Sequence, residues 1–162
     1  MNPNFLLLLD TSGSMYGAKI VSLNLVVDNL LEGFKSLALG EVPQMAVITF
    51  GGLPEVHPYT PIDQITTGWE AGGETRLSEA LELASTLATE STITLIVTDG
   101  TPIHGGHEGF AKTPLSSPVY GIGIGYDADL ELLGKLTTSP HHIFPPVEAE
   151  YLPGHWYNIY AK

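Results

Sequence analysis

Two apolar runs in this chain end abruptly on aspartate. Phe5-Leu6-Leu7-Leu8-Leu9 stops at Asp10 and passes into Thr11-Ser12-Gly13-Ser14; Ile93-Thr94-Leu95-Ile96-Val97 stops at Thr98-Asp99-Gly100. A third polar turn, Ala71-Gly72-Gly73-Glu74-Thr75, opens another amphipathic stretch. Together they offer two carboxylates, Asp10 and Asp99, and three hydroxyls, Ser12, Ser14 and Thr75. Hard oxygen donors of this kind suit Mg²⁺ or Mn²⁺. Two carboxylates neutralise a divalent ion formally and hydroxyls add no charge, so the ion stays electrophilic. Mg²⁺ is octahedral and keeps waters. Five protein groups, some acting through water, can therefore leave one position open to a carboxylate from another molecule.

Each residue also has a plainer reading. Asp10 can cap the turn that follows, with Ser12 and Ser14 satisfying backbone donors. Thr75 can be the N-cap of a helix from Arg76, which is compatible with a ligand role. Asp99-Gly100 can be an ordinary strand-to-turn step. The conjunction of three loops favours the metal. Glu74 reads as a solvated acid near the site, and His104 and His107 as solvated loop histidines at its rim. His141 and His142 are adjacent, diverge in an extended segment and read as surface residues. Gly121, Gly123 and Gly125 alternate within a strand, where small residues admit a close helix; a dinucleotide fingerprint needs another spacing.

Positioning those residues requires strands that deliver them to one edge. Continuous apolarity in Phe5–Leu9 predicts a strand buried on both faces, and Ile93-Thr94-Leu95-Ile96-Val97 another buried strand. Met45–Phe50 and Val119–Ile124 predict two more, and Glu55–Tyr59, flanked by Pro54 and Pro61 and containing Pro58, an antiparallel edge strand. Ile20, Leu23, Val27, Leu30, Leu31 and Phe34 recur at helical spacing, as do Leu77, Ala80, Leu81, Ala84 and Leu87. Asp127 is expected to cap a helix containing Leu130, Leu133 and Leu136, and Ile143-Phe144 to form a last short strand. Thr101–Pro118 reads as a loop. The tail 145–162 has no firm assignment, and Trp156, Tyr157 and Tyr160 suit a segment docked on the core. Alternating strands and helices give an α/β fold with a mostly parallel sheet. In such a sheet ligands gather at the carboxyl ends of the strands, where strand order reverses.

The 162 residues fit a single domain, 1–162. Eighteen acidic against six basic residues give a formal charge of −12, which disfavours nucleic acid and anionic membrane surfaces as partners. With no cysteine, disulfides, thiolate catalysis and thiolate metal sites are excluded. The N-terminus lacks a basic region and a signal-length apolar run, so a cytoplasmic setting is expected.

Asp10-x-Ser12-x-Ser14, then Thr75, then Asp99, resembles the metal-ion-dependent adhesion site (MIDAS) of von Willebrand factor A domains. The likeness covers residues 1–136, including Ala46-Val47-Ile48-Thr49-Phe50-Gly51 and Gly121–Gly125. Leu6–Met15 and Ala71–Thr75 further resemble the bacterial intracellular, tellurite-resistance-associated branch. The resemblance implies a three-layer, Rossmann-like fold with a six-stranded sheet in the order 3-2-1-4-5-6, one antiparallel edge strand and helices on both faces. It implies that Asp10, Ser12 and Ser14 form the first metal loop, Thr75 the second and Asp99 the third. It also implies a non-enzymatic module whose Mg²⁺ or Mn²⁺ accepts a Glu or Asp from a protein partner. Family analogy points to ATPases, kinases or phosphatases in stress response as partners. Two alternatives stay open: a metal-dependent phosphohydrolase with Asp10 as nucleophile, and a structural subunit in which the metal site is not essential.

Overall fold

The computed structural model describes residues 3–74, 76–100 and 118–160. Thr75, His104 and His107, and all but Pro118 of the loop expected over 101–118, lie outside the described residues. The described residues contain six strands: β1 (Asn4–Leu9), β2 (Gln44–Thr49), β3 (Glu55–Pro61), β4 (Thr92–Thr98), β5 (Val119–Gly123) and β6 (Ile143–Phe144). They form one sheet in the order β3-β2-β1-β4-β5-β6. Every pairing is parallel except β2 with β3. That is the order and the single antiparallel pair the resemblance implied. Strand β3 carries Pro58 and Pro61 at the sheet edge, where a missing N–H costs no ladder bond.

Four helices flank this sheet among the described residues: α1 (Ala18–Ser36), α2 (Leu77–Leu87), α3 (Leu130–Leu136) and α4 (Leu152–Tyr160). Side chains alternate along β1. Phe5, Leu7 and Leu9 pack with Leu23, Val27, Leu30 and Phe34 of α1 and with Leu152 and Trp156 of α4. Leu6 and Leu8 pack with Leu77, Ala80, Leu81 and Ala84 of α2 and with Leu133 of α3. Burial on both faces is why β1 reads as an unbroken apolar run and β4 as one interrupted only by Thr94 between Ile93 and Val97.

Several local expectations shift. The helix containing Leu130 is capped by Asp129, whose carboxylate accepts from the Leu132 N–H at 3.0 Å, and not by Asp127. Helix α2 starts at Leu77 with Arg76 at its N-cap, one residue later than expected. Gly125 lies beyond β5, in the turn that follows, whereas Gly121 and Gly123 do lie in the strand, beneath Leu130 and Leu133 of α3. His142 is not a free surface residue. It stacks on Tyr120 with ring centroids 4.0 Å apart, and its Nδ1 lies 3.3 Å from the Val119 carbonyl oxygen. The tail becomes a 3-10 segment (Pro146–Tyr151) followed by α4, with Trp156 buried against Phe5 and Phe34. Its tight passage past α1 depends on Gly33, where any Cβ would meet the Glu150 carbonyl. No helix among the described residues is long and apolar enough to cross a membrane.

Candidate metal centre

The chain leaves β1 for β2 on one side, while β4 lies on the other. The order in which strands are added therefore reverses between β1 and β4, and each of these parallel strands is followed there by an aspartate. Leu9 pairs with Val97, and the Asp10 N–H extends the ladder to the Val97 carbonyl at 2.9 Å. Asp10 and, one residue past its neighbour Thr98, Asp99 therefore follow the ends of adjacent strands, at 0% and 1% exposure.

Asp10 is held on both oxygens. Its Oδ1 accepts from the Ser12 N–H at 3.0 Å and from the Ser12 hydroxyl at 2.5 Å. Its Oδ2 accepts from the Thr98 hydroxyl at 2.6 Å, and Thr98 Oγ1 in turn accepts from the Gly100 N–H at 3.0 Å. Ser12 Oγ and Ser14 Oγ lie 3.1 Å apart. Ser14 sits in a short 3-10 turn, Gly13–Met15, which the buried Met15 pins to the core. Burial pushes the Asp10 carboxyl above the usual aspartate range, and the nearby Asp99 charge pushes the same way. The bonds from Ser12 and Thr98 oppose the shift without cancelling it.

The second loop is fastened on both sides of Thr75. The Gly72 N–H donates to the Thr11 carbonyl at 2.8 Å and the Gly13 N–H to the Gly73 carbonyl at 2.9 Å. The Gly52 N–H donates to the Glu74 carbonyl at 2.8 Å, and on the far side of Thr75 the Arg76 N–H reaches the Phe50 carbonyl at 3.5 Å. This stitching demands glycine twice. Gly73 has φ +82° against the backbone of Gly52, and a Cβ on Gly51 would strike the Thr11 carbonyl. Glu74 itself is exposed.

Asp99 has a neighbour that the sequence reading overlooked. Lys19, in the first turn of α1, places Nζ 3.2 Å from Asp99 Oδ2 and 3.2 Å from Asp127 Oδ1. Thr98 was overlooked as well, although it follows from register: with Leu9 opposite Val97, the residue beside Asp10 is Thr98.

The structure thus brings Asp10, Ser12, Ser14 and Asp99 to the ends of β1 and β4; Thr75 lies outside the described residues. Among the described residues no group of three or more histidine, aspartate or glutamate side chains gathers that could hold a metal. Any cation here would depend on hydroxyl as well as carboxylate oxygen. The donor chemistry fits a hard divalent ion: all-oxygen, with two buried carboxylates, one of them raised by burial and, to a lesser degree, by the other's charge.

The family model of the von Willebrand factor type A domain matches residues 5–101, more than half of the chain and the part that contains both aspartates. The chain belongs to the von Willebrand factor type A domain family. No curated protein matches it in sequence. Among solved structures, this von Willebrand factor type A domain is similar to the pilus adhesin SpaC of Lactobacillus rhamnosus GG. The TM-score is 0.72 at 14% identity, over 98% of this chain and 31% of the adhesin. It is also similar to BatB of Bacteroides thetaiotaomicron, with TM-score 0.68 at 15% identity over 99% of both chains. A third neighbour is proximal thread matrix protein 1 of the mussel byssus, solved with a zinc-occupied MIDAS motif. There the TM-score is 0.65 at 17% identity, over 96% of this chain and 47% of the mussel protein. At these identities the likeness establishes the fold, and the chain spans less than half of the adhesin and of the mussel protein.

Proposed function

We propose that this domain is a metal-dependent protein-binding module. Asp10, Ser12, Ser14, Thr75 and Asp99 hold Mg²⁺ or Mn²⁺, and a vacant coordination position takes a Glu or Asp side chain from a partner protein. The observation that carries the reading is the pair of carboxylates withdrawn from water at the ends of adjacent strands, one raised by burial and by its neighbour's charge. A divalent ion supplies the compensating charge. Hydroxyl ligands then leave that ion hungry for a further anionic oxygen. The zinc-occupied MIDAS of the mussel protein supports a divalent ion in this fold, and the adhesive role of the pilus protein supports a partner-binding face.

The phosphohydrolase alternative fares worse on the same geometry. A nucleophilic Asp10 has to reach a substrate's phosphorus directly, whereas a ligand has only to reach a small ion, and this residue is fully buried with both oxygens already accepting hydrogen bonds. The net charge of −12 repels an acidic partner at long range. The partner therefore presents its acid locally, against the ion, with basic residues elsewhere on its surface. A cytoplasmic setting, kinship with the tellurite-resistance-associated branch and partners among ATPases, kinases or phosphatases belong to this same proposal.

Calorimetric titration with Mn²⁺ and Mg²⁺ tests the reading. Saturable one-site heat is expected for the wild type and none for Asp10→Ala or Asp99→Ala, whose circular dichroism stays native. Crystals soaked in manganese acetate are expected to carry an acetate oxygen on the ion. Flat titrations of the wild type with both metals sink the proposal.

A further inference from the structure

Lys19 stands where helix electrostatics disfavour it. A cation in the first turn of a helix opposes the positive end of the macrodipole, and no acidic residue in that turn of α1 compensates it. Its compensation comes from elsewhere in the chain. Nζ lies 3.2 Å from Asp99 Oδ2, on a side chain fully withdrawn from water, and 3.2 Å from Asp127 Oδ1, on a side chain 57% exposed. The stem packs against the backbone of Gly125, where a Cβ would meet Lys19 Cε at 3.0 Å. Two other described cations, Lys35 and Arg76, pair with Glu32 and Glu79 on helix surfaces. Lys19 alone among the described cations reaches a buried carboxylate. Although burial works against its charge, the hydrogen bonds to Asp99 and Asp127 outweigh it and keep the ammonium above its ordinary value.

Given the metal reading proposed above, on which this step rests, we infer that Lys19 is a built-in counter-cation of the site. Its ammonium competes with the divalent ion for Asp99, and Asp127 retains it when Asp99 is given up. Two features of the geometry support an exchangeable partner over a fixed strut. The ammonium is bidentate between one buried and one exposed carboxylate, so moving wholly onto Asp127 leaves it charged and paired in a wetter place. Its side chain is itself 24% exposed, so that movement needs no opening of the core. The device makes metal binding weaker than the five oxygen ligands alone would give, and keeps the metal-free loops in place.

The test uses Lys19→Met, which removes the charge and keeps the stem, Lys19→Arg, Asp127→Asn and the Lys19→Met/Asp127→Asn double variant. Lys19→Met is expected to tighten Mg²⁺ and Mn²⁺ binding in calorimetry by about tenfold or more. An ammonium and a doubly charged ion sharing one carboxylate repel by that much even in the dielectric of water. In EDTA the same variant is expected to melt several degrees below wild type, because Asp99 loses its ammonium, and the gap closes in saturating Mg²⁺. Lys19→Arg keeps wild-type affinity within about threefold. Asp127→Asn weakens metal binding, and this effect shrinks in the double variant, where no ammonium remains to be redirected. Unchanged or weaker metal binding by a folded Lys19→Met overturns the inference and leaves the metal reading standing. Should Lys19→Met fail to fold, Asp127→Asn with unaltered affinity overturns it equally. Metal binding by Lys19→Met but not by wild type supports it; binding by neither defeats both this inference and the metal reading.

Discussion

Thr98→Val is the sharpest probe of how the Asp10 carboxylate is held. The substitution preserves shape and β-branching, so the strand has no backbone reason to change. It deletes a hydroxyl that donates to Asp10 Oδ2 at 2.6 Å and accepts from the Gly100 N–H at 3.0 Å, in a residue 4% exposed. A bond to a charged group is worth about 1.5–3 kcal/mol, and a buried N–H left unpaired costs about 1–3 kcal/mol. The added methyl returns roughly 1 kcal/mol of apolar burial. The net loss is about 2–4 kcal/mol near neutral pH, or about 5–15 °C in Tm for a chain of this size. Thr94→Val, in the same strand, is the control. Thr94 is fully buried too, but its hydroxyl has no hydrogen-bond partner among the described residues, so the swap should be neutral or stabilising by up to about 1 kcal/mol. Urea denaturation of both variants in EDTA reads the difference directly. A Thr98→Val protein within about 0.5 kcal/mol of wild type, or a Thr94→Val protein equally destabilised, refutes the reasoning that partners, not burial, decide the cost.

Two further outcomes follow from the geometry. Burial holds the folded Asp10 carboxyl above its ordinary value, so the folded state binds the extra proton from about pH 4 up to that raised value. Metal-free stability is therefore lost as pH rises through this window. Asp10→Asn removes that loss, and in EDTA its stability relative to wild type should grow as pH rises; a difference that stays constant with pH contradicts the sign. Gly33→Ala should destabilise by about 1–3 kcal/mol, although alanine favours a helix interior by about 1 kcal/mol. The new methyl meets the Glu150 carbonyl oxygen, with Pro153 Cγ 3.0 Å away; a higher Tm would show that α1 and the segment before α4 are not packed as described.

The proposed ligand set and the surrounding network differ in how far they could be read ahead of the fold. Asp10, Ser12 and Ser14 are two residues apart, and Asp99 closes an apolar run, so local spacing carries them. Lys19 is 80 residues from Asp99 and carries no local signal beyond an uncompensated cation in a helix's first turn. Thr98 sits in plain view beside Asp99, yet its role depends on β4 lying next to β1 in one particular register. Capping illustrates the same limit. Asp127 and Asp129 both precede the apolar stripe of α3, and only the path of the turn assigns Asp129 to the cap and Asp127 to Lys19.

The one-dimensional pattern by itself determined the buried strands, the helical stripes, the proline-marked edge and the acids that end β1 and β4. Each of these arises from hydrophobic period or from backbone chemistry within a few residues. Tertiary structure alone decided the packing of the tail helix on Phe5 and Phe34, the stacking of His142 on Tyr120 and the partners of Asp10 Oδ2 and Asp99. Those contacts join segments distant along the chain. They come into being when the two apolar faces of β1 are covered, and no periodicity records them beforehand.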